Sequence, residues 1–195
     1  GIEQGDVIAV QLPNCIEAVV IAIGANKAGV AVSPMLTIYR SNELRHNLGL
    51  TEAKAVFVPD IYRNFNHRIL AESLSEELTH KMQVVVVPVF DDDADGPSEW
   101  LGDLGHWPDS PCDRNPSPSD VSVILFTSGT TGKPKAVMHT EHSLNSNVSA
   151  VWRDFKMGTE EVVWTPSPVG HSSGFGFGIR IALLHGASIV LQDRW

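Results

Sequence analysis

From Val7 to Gln192 the chain alternates short apolar runs with helix-like stretches, and this alternation constrains its fold more than any other feature. Val7 to Leu12, Val30 to Ser33, Ala55 to Val58 and Gln83 to Val89 read as strands. So do Val121 to Phe126, Ala136 to His139, Glu161 to Thr165 and Ser188 to Gln192. Helices are expected at Cys15 to Ala28, from Ser41 to a stop at Gly49, at Phe65 to Thr79, at Glu141 to Phe155 and around Gly178 to Leu184. Strands that alternate with helices are joined by right-handed crossovers. The expected fold class is therefore α/β, with mainly parallel sheets flanked by helices. A chain of 195 residues is long enough for one sizeable domain or two small lobes.

The first helix is apolar nearly all round, with Ile16, Val19, Val20, Ile21 and Ile23, so it belongs inside a larger body. Asn14, with Glu17 three residues on, has the pattern of a capping box at its start, and Gly29 ends it. Residues 90–120 differ in composition. They hold Pro97, Pro108, Pro111, Pro116 and Pro118 together with the acidic run Asp91-Asp92-Asp93-Ala94-Asp95. This stretch reads as an exposed excursion, with one short helix at Ser98 to Leu104.

The net charge of −9 argues against a nucleic-acid surface, which needs clustered lysine and arginine. Cys15 and Cys112 stand far apart and form neither a disulfide framework nor a zinc pattern, which makes a reduced, cytoplasmic setting the default. The longest apolar run, Ala18 to Ala25, is too short to cross a bilayer. Gly1 is not a natural start, and Trp195 directly follows a strand that reads as buried. The expectation is a sequence cut at both ends.

The segment richest in chemistry runs from Ile124 to His139, ILFTSGTTGKPKAVMH. An apolar strand opens into glycines and small hydroxyl residues. Glycines allow close backbone approach to a ligand, and exposed amides can face an anion. Ser128, Thr130 and Thr131 add hydroxyl donors, while Lys133 and Lys135 add positive charge. The recipe suits a polyphosphate. An ordinary glycine-rich turn with two exposed lysines is the alternative. A Walker A loop is excluded, because only Thr130 and Thr131 separate Gly129 from Gly132 and Pro134 follows Lys133. A P-loop also opens a helix, whereas Ala136 to Met138 reads as a strand.

Thr127 to Lys135, TSGTTGKPK, closely resembles the signature of the adenylate-forming (AMP-binding) enzyme superfamily, which includes acyl-CoA synthetases, luciferases and the adenylation domains of peptide synthetases. Ala136 departs from the pattern, which usually has glycine there. Val10-Gln-Leu-Pro-Asn14, Lys27-Ala-Gly29 and Pro34 resemble its early motifs. Pro168-Val-Gly-His-Ser-Ser-Gly-Phe175 resembles its proline–histidine–glycine segment, which lines the carboxylate pocket. The resemblance covers the whole chain as part of the large N-terminal domain of such an enzyme, in the acyl-CoA synthetase branch.

The resemblance implies ATP, Mg2+ and coenzyme A as cofactors and a small or medium carboxylic acid as substrate. An acyl-adenylate would form with release of pyrophosphate, and a thioester would follow. Thr127, Ser128, Gly129, Thr130, Thr131, Gly132 and Lys135 would hold the ATP phosphates, with Lys133 at a variable position. His171, Gly174 and Phe175 would line the substrate pocket. A histidine satisfied by backbone at a helix start is the other reading of His171, and core packing is the other reading of Phe175 and Phe177. His139 and His142 have no third ligand nearby, so a metal pair is not expected. The catalytic residues, the metal-holding acid, the ribose-binding aspartate and the mobile lid of the family lie beyond Trp195. The fragment alone is therefore expected to be inactive. Two further readings stay open: an adenylation domain that loads a carrier protein, and a non-catalytic nucleotide-binding module.

Overall fold

The computed structural model describes residues 1–89, 114–127 and 134–193. Ten strands and five α-helices occur among these residues. A six-stranded sheet runs in the order β6 (Gln83–Val86), β3 (Ala55–Val58), β1 (Val7–Val10), β2 (Ala31–Pro34), β7 (Val121–Thr127) and β8 (Lys135–Thr140). The first five are parallel, and β8 returns antiparallel to β7. A second sheet pairs β9 (Val162–Thr165) with β10 (Ser188–Leu191) in parallel. The expected mainly parallel α/β fold is the observed one. The expected excursion falls largely outside the described residues, as do its short helix at residues 98–104, the acidic run and Cys112.

Side-chain alternation along β1 explains how the layers form. Ile8 and Val10 point into one core with α1 (Ile16–Lys27), while Ala9 points into another with α2 (Ser41–Thr51) and α3 (His67–Glu77). Helices therefore cover both faces of the sheet. The core on the α1 side also takes Leu144 of α4 (Glu141–Asp154) and Phe175 and Ile179 from a π-helical segment, Ser173–Arg180. Helix α1 thus packs against the sheet on one side and the second lobe on the other, which is why its sequence is apolar around most of its circumference. A third cluster joins Val148 and Trp152 of α4 to Val163 of β9 and to Ile181 and Ala182 of α5 (Ile181–His185).

Several local expectations are revised. Gly49 does not stop α2, which continues to Thr51 and ends at Glu52 in the left-handed region (φ 47°). The helix expected near Gly178 begins earlier, as the π-helical segment at Ser173, and becomes α-helical at Ile181. A small hairpin, β4 (Ile61–Tyr62) and β5 (Phe65–Asn66), was not foreseen, and its turn residues Arg63 and Asn64 both have positive φ. Cys15 is fully buried, and burial pushes its thiol up, which leaves it no nucleophilic role.

The largest correction concerns Asn14. It does not cap α1: Cys15 occupies that position and no side chain caps the helix end. The buried Asn14 amide instead reaches across the chain. Its Nδ2 donates to the carbonyl oxygens of Thr165 (3.1 Å), Ser167 (2.9 Å) and Gln192 (2.9 Å), and its Oδ1 accepts from the Val169 N–H (2.8 Å). Two amide hydrogens are shared among three carbonyls, so Asn14 ties the ends of β9 and β10 to the end of β1.

A second buried network lies beneath the β2–α2 connection. Gln11 Nε2 donates to the carbonyl oxygens of Leu36 (3.0 Å) and Tyr39 (3.2 Å), and its Oε1 accepts from His67 Nδ1 (3.3 Å). Both side chains are essentially fully buried. Burial, with repulsion from the Arg40 guanidinium, pushes the His67 pKa down to about 4.

Two outcomes are expected. Asn14→Ala removes the acceptor of the Val169 N–H and the side-chain donor shared by three carbonyls, of which Thr165 alone keeps the Gln192 N–H, and lowers unfolding free energy by about 3 kcal/mol in urea titrations. Asn14→Asp, a buried carboxylate facing three carbonyl oxygens, costs more. For His67, the unfolded chain binds a proton below pH 6.5 while the folded chain stays neutral down to about pH 4. This contribution to stability is complete above pH 6.5 and is lost as pH falls toward 4, on the order of 3 kcal/mol in all. Unfolding free energies measured between pH 7 and pH 4 should show this slope, and His67→Asn should flatten it.

Candidate functional site

In a parallel sheet with helices on both faces, ligands bind outside the carboxyl ends of the strands, where successive connections leave toward opposite faces. Here β1 leads to α1 on one face, and its neighbour β2 leads to α2 on the other. A cavity of about 320 Å3 opens at that point. Leu12, Pro13 and Asn14 after β1 and Leu36, Thr37 and Ile38 after β2 form part of its wall. Pro166, Pro168, Gly170 and His171 after β9, with Gln192 and Asp193 after β10, supply the rest, and Tyr62 and Arg63 come from the β4–β5 hairpin. The carboxyl ends of both sheets therefore face the same space.

Close backbone approach makes this possible. A Cβ at Gly170 would overlap the Met35 carbonyl, so only glycine lets this loop lie on the backbone that follows β2. A Cβ at Gly174 would overlap the carbonyl oxygens of Ser167 and Pro168 in the same way. Gly174 is buried and shapes the wall from behind rather than lining it.

His171 lines the cavity and is exposed to it. Its Nδ1 accepts from the Ser173 N–H (3.2 Å) and lies 2.9 Å from Ser173 Oγ. The accepted backbone N–H assigns the neutral ring proton to Nε2, which makes His171 a hydrogen-bond donor on its outer edge. His171 is thus satisfied by backbone at a helix start, and it also lines the cavity. Phe175 is 5% exposed and packs in the core with α1, outside the cavity lining. Phe177 is exposed.

The hairpin residues supply polar groups that sequence reasoning missed. Tyr62 Oη donates to Asp193 Oδ1 (2.7 Å), and Arg63 donates to the Asp193 carbonyl (2.8 Å), closing one side of the cavity mouth. Asn64, a residue that tolerates positive φ, was the one local signal of this turn.

The expected phosphate loop connects the ends of β7 and β8. Thr127 and Lys135 are register partners, the last pair of the antiparallel ladder. Ser128, Gly129, Thr130, Thr131, Gly132 and Lys133 lie outside the described residues. A strand, β8, follows the loop, as its apolar sequence predicted, and the helix that a Walker A loop would open does not occur there. Because β7 is parallel to β1 and β2, Thr127 stands at the same edge of the sheet as the cavity. Among the described residues, no three His, Cys, Asp or Glu side chains gather to hold a metal ion, and no helix is long and apolar enough to cross a membrane.

The medium-chain fatty-acid–CoA ligase of Escherichia coli (strain K12) is 31% identical over 195 residues, which is 99% of this chain and 34% of the ligase. The 2-hydroxy-7-methoxy-5-methyl-1-naphthoate–CoA ligase of Streptomyces carzinostaticus is also 31% identical, over 98% of this chain and 36% of its own length. The chain thus spans about a third of the length of these relatives. The crystal structure of ATP-bound MatB from Rhodopseudomonas palustris shares the fold, with a TM-score of 0.80 and 21% identity over all of this chain and 36% of that one. The AMP-binding enzyme family profile matches residues 1–195 from end to end, and the chain belongs to that family.

Proposed function

We propose that this chain forms the triphosphate-binding and carboxylate-binding part of a cytoplasmic, ATP-dependent carboxylate–CoA ligase. The observation that carries the reading is the shared edge. The Thr127–Lys135 hairpin end and the cavity bounded by His171 lie at the same edge of the six-stranded sheet, where β1, β2 and β7 end, in a chain whose relatives are named CoA ligases. In the first step a carboxylate oxygen bonds to the α-phosphorus of ATP while the bond from that phosphorus to the bridging oxygen breaks, and pyrophosphate leaves. In the second step the thiol sulfur of coenzyme A attacks the acyl carbon, AMP departs with the acyl oxygen, and the thiol proton is given up to a base or to solvent.

Both partners in the first step are anions, so the protein's task is positioning and charge compensation. Thr127, Ser128, Gly129, Thr130, Thr131, Gly132 and Lys135 would surround the β- and γ-phosphates with amides, hydroxyls and one ammonium group. Nε2–H of His171 would donate to the carboxylate or to the carbonyl oxygen it becomes. Gly174 would keep that wall thin, and Phe175 would back it from the core. Mg2+ finds no cluster of protein ligands among the described residues and would enter with the triphosphate.

In the intact protein, a panel of carboxylic acids should support ATP–pyrophosphate exchange and CoA-dependent release of AMP. Lys135→Met should lower exchange by about 10- to 100-fold. The 195-residue chain by itself should support none. Exchange in the isolated chain would overturn the division of labour proposed here. Failure of every acid in the intact protein would overturn the ligase reading.

A further inference from the structure

Helix α2 carries a side chain that touches both roots of the Thr127–Lys135 loop. The His46 ring meets the Phe126 ring edge-on, with centroids 6.5 Å apart and planes at 67°. Its Nε2 lies 2.9 Å from the carbonyl oxygen of Pro134, so Nε2 carries the proton and donates it. Phe126 is the residue before Thr127, and Pro134 is the residue before Lys135. Proline has no N–H, so its carbonyl is the only backbone polar group it can use to fix its position. That carbonyl belongs to the peptide plane whose nitrogen is Lys135 N. Holding the oxygen therefore sets the plane from which the Lys135 side chain departs.

We infer that His46 is a positioning residue for Lys135: it ties Phe126 of β7 to Pro134 and fixes the peptide plane from which the Lys135 side chain would reach the terminal phosphates of ATP. The inference rests on the proposed binding of ATP at this loop. His46 acts through the hairpin without touching the nucleotide. Its two contacts are separable, because the ring edge packs against Phe126 while Nε2–H alone holds Pro134. A displacement of about 1 Å at a reacting group can cost about 100-fold in rate, so a single hydrogen bond at the loop's root can have a measurable effect.

The two contacts suggest a pair of variants. His46→Phe keeps a ring against Phe126 and loses the donor. His46→Gln keeps an amide N–H at a comparable distance from the backbone and loses the ring. The readout is equilibrium binding of ATP and of AMP to the intact protein, with thermal unfolding alongside. AMP lacks the two phosphates that the loop would hold. Expected for His46→Phe is an ATP affinity about 10-fold weaker with AMP affinity within twofold of wild type, and His46→Gln should recover most of the loss. An equal fall in ATP and AMP affinity, or a loss that tracks the unfolding temperature in both variants, would reduce His46 to a packing role and overturn the inference. Unchanged ATP affinity in His46→Phe would overturn it too. If the wild-type protein binds ATP no more tightly than AMP, the phosphate-loop reading itself fails, and the inference falls with it. That result is distinct because it appears before any substitution is made.

Discussion

One carboxamide holds the two lobes in register. Asn14 leaves the end of β1 and collects the carbonyls of Thr165, Ser167 and Gln192 while accepting the N–H of Val169. The Thr165 carbonyl also accepts from the Gln192 N–H (3.2 Å) at the end of the β9–β10 ladder, whereas Ser167, Val169 and Gln192 lie after the strands, beyond the ladder. Buried and unpaired, each would cost free energy comparable to a lost hydrogen bond. A single side chain satisfies them only if β1, β9 and β10 end at one place. The requirement to pair buried amides thus becomes a geometric constraint: the two sheets must present their carboxyl ends to a common space.

That constraint determines where the cavity can be. The crevice between the connections from β1 and β2 exists in any sheet whose helices divide to opposite faces there. In this chain it is roofed by Pro166 to His171 because Asn14 and the absent Cβ of Gly170 bring that loop onto the backbone after β2. Beneath it, Gln11 and His67 fix the Leu36–Tyr39 backbone from below with a neutral, buried pair. Arg40 lies over the Phe65 ring at 3.8 Å, and its charge opposes protonation of His67. The wall of the site therefore rests on uncharged hydrogen bonds made by buried side chains, where water competes little.

Much of the scaffold was legible in the sequence. The strands were readable because a parallel sheet covered on both faces demands continuous apolar runs, and Val121–Phe126 and Ala55–Val58 are such runs. Membership of the family was readable from Thr127 to Lys135. What escaped were features whose cause is not local. Asn14 three residues before Glu17 looks the same whether its amide caps the adjacent helix or crosses 151 positions to Thr165, and only the tertiary structure decides. The two-residue strands β4 and β5 carry too little pattern to register, yet they bring Tyr62 and Arg63 to the cavity mouth. The π-helical start at Ser173 lies in a glycine-rich stretch, and glycine carries no helical preference of its own. At Gly174 and Gly178 that glycine is demanded by the Ser167–Pro168 backbone and the Thr165 side chain packed against them.

The antiparallel return of β8 has a consequence for how an anion could be held. Where a phosphate sits on the first turn of a helix, aligned peptide dipoles supply part of the attraction. A hairpin has no such aligned dipole, since sheets carry only small net dipoles. Under the proposed phosphate binding, the groups carried by Thr127 and Lys135 would be aimed from the two strands that hold them as a register pair. Geometry at Thr127 and Lys135 would then matter, because the strand that begins at Lys135 offers no aligned helix dipole to make up for a misdirected donor. The strands give one constraint by pairing Thr127 with Lys135, and α2 gives a second at Pro134. The two anchors act on adjacent residues, so the backbone at Pro134 and Lys135 is fixed both by the sheet and by α2.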